Sequence, residues 1–141
     1  MKSDKEINRR SDCPISYSLD FLGDKWSLLI LRDMIFSGKS SYGEFQNSEE
    51  KIATNILADR LASLTANNFI SKKESTQHKS KFVYTLTEKG ISLLPILVEM
   101  NIWGTENDPE NAGNEMTKLL KNDKAKAIKE LTKLLKKRIG S

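Results

Sequence analysis

The sequence predicts a mainly α-helical (α+β) fold with one small β-hairpin. Residues 52–64 carry apolar side chains at helical spacing, and two short β-like runs, 69–75 and 81–86, follow at once. A basic tip, residues 76–80, joins the two runs. A helix of this length fits the DNA major groove, and a cationic hairpin beside it can lie along the backbone. These elements predict a winged helix-turn-helix with added terminal helices.

Local end signals predict the three helices that precede this region. Pro14 is pre-set for helix entry and begins the first helix. Asp24 caps the second helix, whose apolar residues almost encircle it as expected for a central core helix, and Gly38 ends it. Ser41 and Glu44 have the spacing of a capping box, so a third short helix begins there.

The fourth helix has one apolar and one polar side. The apolar stripe consists of Leu57, Leu61 and Leu64, and the opposite side consists of Asn55, Asp59, Ala62 and Ala66. A purely structural surface helix would more usually carry several Lys and Glu residues. Small side chains instead let the helix backbone approach base edges closely.

The C-terminal half contains further helical segments. A fifth helix should run from residues 87–90 towards Gly104, bent or shortened by Pro95 inside it. The last segment is amphipathic, as one helix or two, and should pack on a partner subunit or back on its own domain. The expected organisation is an N-terminal arm at 1–12, a winged helix domain at 13–104, a linker at 105–113 and the amphipathic segment at 114–139.

Composition limits the remaining possibilities. With 141 residues, 38% of them hydrophobic, the chain can bury one modest core. The net charge of +4 favours a polyanionic partner only weakly, so the placement of charges must decide. No apolar run approaches the ~20 residues of a membrane span and the N-terminus is not signal-like, which predicts a cytoplasmic protein. A single cysteine forms no internal disulfide or cysteine-based zinc site, and we expect no metal or cofactor.

These fragments, in their order and spacing, resemble the HxlR-type bacterial transcriptional regulators, a branch of winged helix proteins related to the MarR type. The likeness covers residues 13–104 and rests on Cys13-Pro14, Leu22-Gly23-Asp24-Lys25-Trp26, Leu29-Ile30-Leu31-Arg32, Ile52-Ala53-Thr54-Asn55, Leu57-Ala58-Asp59-Arg60-Leu61, Tyr84-Thr85-Leu86-Thr87-Glu88-Lys89-Gly90, Leu94-Pro95 and Trp103-Gly104. The resemblance implies a homodimer joined through terminal helices, a two-fold related double-stranded DNA operator, and a fourth helix that reads the major groove. Two positions depart from the family pattern. Ser41 stands where the family usually has Arg. Asn68 stands where it usually has Gly, and asparagine tolerates the left-handed conformation that a helix end needs.

The expected base contacts lie at the start of the fourth helix, the part that enters the groove first. They are Thr54, Asn55 and Ala58. Asn55 can bond an adenine edge, and Thr54 can contact a base or a thymine methyl group. The alternative for Thr54 is that it merely supports the start of the helix.

The expected contacts to the DNA backbone come from the helical part and from the hairpin tip. They are Lys25, Lys39, Ser41, Arg60, His78, Lys79 and Lys81. For Arg60 the alternative is an ion pair within the domain, with Asp59 or Glu44, and Asp59 should orient Arg60. For the residues of the hairpin tip, the alternative is that their basic charge serves only to keep the protein soluble. The lysines at 118–137 are interpreted as the solvated face of a dimerisation helix rather than as extra DNA charge.

Cys13 is the candidate for reactive chemistry. It precedes Pro14 at a helix N-terminus, with Arg9 and Arg10 close in sequence, and both influences favour the thiolate. The resemblance implies the same, because several HxlR-type proteins are thought to sense oxidants or electrophiles through a cysteine here. A lone cysteine needs a second subunit or a low-molecular-weight thiol as its partner. The alternative is an inert, partly buried thiol.

Other function classes fit the sequence less well. An enzyme is not expected, because His78 has no nucleophile and orienting carboxylate nearby and there is no glycine-rich phosphate loop. A winged helix used only for protein–protein interaction is the second interpretation. It should have an apolar or acidic outer face on the fourth helix and a hairpin tip without Lys79 and Lys81.

Overall fold

The computed structural model describes residues 9–78, 80–111 and 113–139. Its helices are α1 (Pro14–Leu22), α2 (Lys25–Ser37), α3 (Tyr42–Gln46), α4 (Thr54–Ala66), α5 (Glu88–Ile91), α6 (Leu94–Asn107), α7 (Glu115–Asn122) and α8 (Lys124–Ile139). The strands are β1 (Ile70–Glu74) and β2 (Phe82–Leu86), which pair as one antiparallel hairpin. The predicted mainly α-helical fold with one hairpin is therefore confirmed.

The chain divides into two compact units. The first ends at Thr87 and the second begins at Glu88. This division falls within the 13–104 stretch expected as one domain, whose boundaries stay a prediction. Among the described residues, no helix combines the length and the apolar character needed to cross a bilayer.

The ends of α2 and α3 are those that the sequence predicted. The Asp24 carboxylate accepts a hydrogen bond from the Ser27 amide, and Gly38 ends α2 with φ 66° in the left-handed region that favours glycine. Ser41 and Glu44 form the complete capping box of α3, each side chain bonded to the other residue's backbone amide. Local hydrogen bonding thus fixes where these helices begin.

Helix α4 begins two residues later than the apolar pattern indicated. Ile52 lies before the helix with its side chain 5% exposed, because it packs into the core from the preceding turn. Ala53 occupies the cap position with extended backbone and makes no side-chain cap. At the other end, Asn68 has φ 65°, the left-handed conformation predicted for the end of this helix. The predicted apolar stripe is buried: Leu57, Leu61 and Leu64.

The hairpin follows α4 directly and its register is regular. Ile70 pairs with Leu86 at one end and Glu74 with Phe82 at the other. Tyr84 and Leu86 face the core, whereas Phe82, which strand alternation places on the same face, is 40% exposed near the tip. The Tyr84 amide donates to the Ser40 carbonyl over 2.8 Å, which ties the hairpin to the start of α3. This bond fixes the hairpin, which is the wing of the fold, to the helical part of the first unit.

The second unit differs from the prediction in two places. Pro95 lies in the first turn of α6, where its missing amide breaks no helical bond, so α5 and α6 are separate helices rather than one bent helix. Helix α6 then continues to Asn107, so the first part of the predicted linker is helical.

The segment at 114–139 forms two helices, which settles the alternative that the sequence left open. Helix α7 ends at Asn122 and α8 begins at Lys124, where polar residues interrupt the apolar stripe. Leu120 and Leu135 are buried, and the Thr117 hydroxyl donates to the Asn101 side chain of α6 over 2.9 Å. Part of the apolar face therefore packs within the unit itself.

Candidate nucleic-acid interface

The outer face of α4 is open at its N-terminal end. Thr54, Asn55 and Ala58 are all exposed. Within the described part of the chain, the side chains of Thr54 and Asn55 make no hydrogen bond, and Ala53 holds the cap position. The alternative that the Thr54 side chain supports the helix start therefore finds no contact in its favour. These polar atoms are available to a ligand that approaches the helix from outside.

Tyr42 supports this end of α4 from the neighbouring helix. Its hydroxyl donates to the Thr54 carbonyl over 3.0 Å. The bond fixes the first turn of α4 through its backbone and leaves the Thr54 side chain unoccupied. The sequence reasoning missed this role, because a tyrosine and a carbonyl twelve residues apart leave no local pattern.

Arg60 is held inside the first unit. Its Nε lies 2.8 Å from Oδ2 of Asp24, its Nη2 lies 3.3 Å from Oδ1 of Asp24, and its Nη1 lies 2.6 Å from Oδ2 of Asp59. The expected orienting contact with Asp59 is therefore present, and the alternative of an internal ion pair fits, with Asp24 rather than Glu44 as the further partner. A phosphate contact by Arg60 would have to compete with two carboxylates.

Asp24 thereby joins the start of α2 to the middle of α4. The same carboxylate caps α2 through the Ser27 amide. Partial burial raises the pKa of Asp24, but the hydrogen bonds from Arg60 and Ser27 outweigh this and hold the pKa below its ordinary value. The carboxylate stays ionised at neutral pH, so the tie between the two helices persists.

Three further expected backbone contacts have different surroundings. Lys39 Nζ lies 3.4 Å from Oδ2 of the buried Asp33, and the Ser41 hydroxyl is engaged in the capping box of α3. Lys25 is exposed, and its Nζ lies 5.1 Å from the centroid of the Trp26 ring. Of these three residues, Lys25 is the one with an exposed charge that has no carboxylate partner among the described residues.

The wing presents cationic side chains along its length. His78 and Lys81 are exposed at the tip, where the Lys81 amide donates to the His78 carbonyl over 2.9 Å. Lys79, the third expected tip contact, lies outside the described residues. Lys72 and Lys73 on β1 are also exposed, and Lys72 Nζ lies 4.0 Å from the centroid of the Phe82 ring. The sequence analysis did not include these two lysines among the expected contacts, although both lie in the run 69–75 that was predicted to form the first strand of the hairpin.

Cys13 is an exposed thiol at the cap position of α1. Hydrogen bonds from the backbone amides of Ser16 and Ile15, at the N-terminus of the helix, lower the pKa of the thiol. Arg10, expected to assist, instead forms an ion pair with Asp20 at 2.6 Å. The thiolate is therefore favoured by the helix rather than by the arginine. No group of three or more His, Cys, Asp or Glu residues suited to a metal occurs among the described residues.

Comparison with known proteins decides the family. Residues 21–112 match the HxlR-like helix-turn-helix family. MalR of Fusobacterium mortiferum, a regulatory protein by name, is 38% identical over 104 residues, which make up 74% of this chain and 98% of MalR. The chain belongs to the HxlR family.

Solved structures agree with this assignment. PA1607, a transcription factor by name, matches with a TM-score of 0.66 and 37% identity over 75% of this chain and 74% of PA1607. The transcriptional regulator YodB from Bacillus subtilis matches at 27% identity, with a TM-score of 0.55 for its reduced form, over 74% of this chain and 100% of YodB. Its quinone-bound form matches with a TM-score of 0.54 over 67% of this chain and 99% of YodB. The HxlR protein described here is a transcriptional regulator of the winged helix type.

An Arg32–Glu50 clamp fixes the turn that precedes α4 in this HxlR protein. Arg32 Nη1 and Nη2 lie 2.6 Å and 2.9 Å from the two Glu50 carboxylate oxygens, and the same guanidinium bonds the buried Asp33. Hydrogen bonding from Arg32 lowers the pKa of Glu50 to about 2, despite the opposing effect of partial burial. The clamp joins α2 to the turn and so helps to position the start of α4.

Glu50→Gln should therefore lower the free energy of unfolding at neutral pH. We expect a loss of roughly 0.5–1 kcal/mol, because solvent screens a pair whose two side chains are each about a third exposed. A carboxyl group whose pKa is lowered on folding stabilises the fold at pH values above its ordinary pKa of 4.5. This stabilisation is lost as the pH falls towards about 2. Urea unfolding should show a smaller difference in the free energy of unfolding between variant and wild type near pH 3 than at neutral pH.

Glu49→Gln is the matched control for this clamp. It removes the neighbouring carboxylate, which forms no ion pair in the described part of the chain, and should leave stability nearly unchanged at either pH. A Glu50→Gln deficit that stays constant with pH would contradict the clamp.

Proposed function

We propose that this protein binds double-stranded DNA sequence-specifically, as a homodimer on a two-fold related operator. The observation that carries the proposal is the exposed start of α4, where Thr54, Asn55 and Ala58 have no competing side-chain bond within the described residues. An asparagine side chain can bond both major-groove edge atoms of adenine at once, because its Nδ2 donates to N7 while its Oδ1 accepts from N6–H₂. The small side chains beside it permit close approach. This face supplies the recognition that base reading requires.

Exposed cations in the same unit as this face support contact with the DNA backbone. Lys25 near the start of α2, Lys72 and Lys73 on β1 and Lys81 at the tip are all exposed. Phosphate contacts of this kind give affinity and register without sequence preference, and base contacts then add the discrimination. Both kinds of group occur in the first unit.

Exposed apolar side chains on α1 and α6 support the homodimer. On α1, Ile15 is 71% exposed and Leu19 53% exposed. On α6, Met100 is 50% exposed and Trp103 69% exposed. Apolar groups grouped on helix faces in this way favour burial against another protein surface. A second copy of the chain is the partner that a two-fold operator calls for.

Selection of bound duplexes from a random DNA pool tests this function. We expect enriched sequences that contain two-fold related half-sites about one helical turn, ~34 Å, apart. Unrelated sequences after repeated rounds would overturn sequence-specific binding. A single unrepeated half-site, together with a monomeric mass in solution, would overturn the homodimer.

We further propose that modification of Cys13 switches this binding. The thiol is exposed and its pKa is lowered by the helix amides, and the similar protein YodB has been solved in a quinone-bound form. In the proposed step, the thiolate Sγ forms a bond to a quinone ring carbon. The ring takes up a proton and becomes a hydroquinone thioether. Alternatively, an oxidant such as diamide takes two electrons as Sγ joins a small thiol in a disulfide.

Cys13→Ser should bind the selected operator as tightly as the wild type and ignore these reagents. We expect benzoquinone, or diamide with glutathione, to change wild-type affinity by about 5- to 150-fold, the usual range of coupling between two sites. Anisotropy of a labelled operator measures this change. Dithiothreitol should reverse the diamide effect and leave the quinone effect. An identical response in Cys13→Ser would remove Cys13 from the switch.

A further inference from the structure

Helix α8 carries a stripe of lysines along one side. The lysine stripe consists of Lys126, Lys129, Lys133, Lys136 and Lys137, all of them exposed. Their spacings of three and four residues place them within an arc of roughly 100° around the helix axis. At a rise of about 1.5 Å per residue, the stripe is ~16 Å long. The buried Leu135 lies on the opposite side.

The stripe differs from the other lysines of the same segment. Lys118, Lys121 and Lys124 form ion pairs with Glu115, Glu106 and Glu99, respectively. In the described part of the chain, no lysine of the stripe forms an ion pair. Its charge is therefore not neutralised within the second unit.

Helix stability does not account for the stripe. Lys133 lies four residues from both Lys129 and Lys137, and like charges at this spacing destabilise a helix. Lys126 lies in the first turn, which contains no acidic residue, so its charge opposes the helix dipole. The dipole does favour Lys136 and Lys137 in the last turn. Glu130 lies four residues from Lys126 and three from Lys133, but it forms no ion pair in the described part of the chain, so helix stability alone does not explain the first three lysines of the stripe.

The distribution of charge along the chain supplies one. Residues 1–114 contain 14 Lys and Arg against 16 Asp and Glu, whereas residues 115–141 contain nine Lys and Arg against three Asp and Glu. The entire positive excess of the chain therefore lies in the C-terminal segment. This segment also lies beyond residues 21–112, which match the family.

We propose that the lysine stripe binds the phosphate backbone of duplex DNA and anchors the protein without regard to sequence. The inference rests on the proposed function, to which it adds a second contact region. It departs from the interpretation drawn from the sequence, in which these lysines formed only the solvated face of a dimerisation helix. Duplex DNA carries one negative charge per ~1.7 Å of axis, so a stripe ~16 Å long can neutralise several phosphates. An anionic bilayer fits less well, because an interfacial helix must insert a broad apolar side, whereas Leu135 on α8 is buried and Leu134 and Ile139 are only 50% and 39% exposed.

Three variants of the full-length protein test this inference. The stripe variant combines Lys126→Gln, Lys129→Gln and Lys133→Gln. The control variant makes the same change of charge off the stripe, through Lys118→Gln, Lys121→Gln and Lys124→Gln. A third variant with Lys126→Arg, Lys129→Arg and Lys133→Arg retains the charge. Circular dichroism verifies that each variant keeps the helix content of the wild type.

The probe is a fluorescein-labelled random-sequence duplex of about 40 base pairs, titrated at several salt concentrations. The stripe variant should bind about tenfold or more weakly, and its slope of log affinity against log salt should be shallower by about 2 to 3. The control variant should change the slope by less than about 1, and the arginine variant should match the wild type.

The other outcomes separate the possible failures. Equal losses in the stripe and control variants would overturn the inference and leave the proposed function intact. Loss of binding to phosphatidylglycerol vesicles by the stripe variant, with unchanged duplex binding, would also overturn it in favour of a membrane. A wild type that binds neither random duplex nor any selected sequence would overturn both proposals.

Discussion

Phe45→Ala is expected to lower the free energy of unfolding by about 3–5 kcal/mol, the usual range for removing a fully buried phenylalanine. Phe45 is 0% exposed on α3, and its ring meets that of Tyr84 edge-on with centroids 6.3 Å apart. Alanine would remove both the ring contact and the apolar burial and leave a cavity between α3 and the hairpin. Urea unfolding followed by circular dichroism measures the loss.

Phe82→Ala provides the matched control for this prediction. It makes the same chemical change in the hairpin, but Phe82 is 40% exposed and its main described partner is Lys72. We expect it to lower stability by less than about 1.5 kcal/mol, since little apolar area returns to water. Equal losses for the two variants would show that the buried Phe45 ring stabilises the fold no more than the exposed Phe82 ring does.

Asn55→Ala is expected to weaken binding to the selected operator by about 1–3 kcal/mol, or roughly 5- to 150-fold, while binding to random DNA stays nearly constant. The reason is the position of its side chain, which is exposed in the first turn of α4 and makes no bond to another described residue. Removing it takes away base contacts and leaves phosphate contacts in place. Competition titrations with the operator and with a scrambled duplex measure the two affinities.

Asn122→Ala is the control for Asn55→Ala. It removes the same amide from an exposed position at the end of α7, in the second unit, and should leave both affinities unchanged. An equal loss on operator and scrambled DNA for Asn55→Ala would contradict a base-reading role. Unchanged stability of Asn55→Ala would show that the effect arises in binding rather than folding.

The elements that the sequence predicted well are those fixed by neighbouring residues. The Asp24 cap, the Ser41 and Glu44 capping box and the left-handed Asn68 each depend on atoms within a few residues, so the pattern contains them. The position of Pro95 was misjudged because the sequence pattern around it fits both the interior of one long helix and the first turn of a new helix. Only the break between α5 and α6, at residues 92 and 93, distinguishes the two.

The contacts that sequence reasoning missed join residues far apart along the chain. Arg60 and Asp24 are 36 residues apart, and Arg32 and Glu50 are 18 residues apart. No periodicity connects such positions, since the packing of α2 against α4 brings them together. The sequence therefore suggested charged residues for the candidate interface, and the fold decides which of them already have an internal partner.

The separation between supporting and outward-facing residues on α4 has an evolutionary consequence. Positions 54, 55 and 58 bear side chains with no structural duty in the described part of the chain, whereas positions 24 and 60 are tied to each other. Under the proposed function, a duplicated copy of the gene can therefore acquire a new target site by exchanging the first group while the fold is kept. The second group can change only in concert, so it forms the inherited scaffold on which new specificities arise.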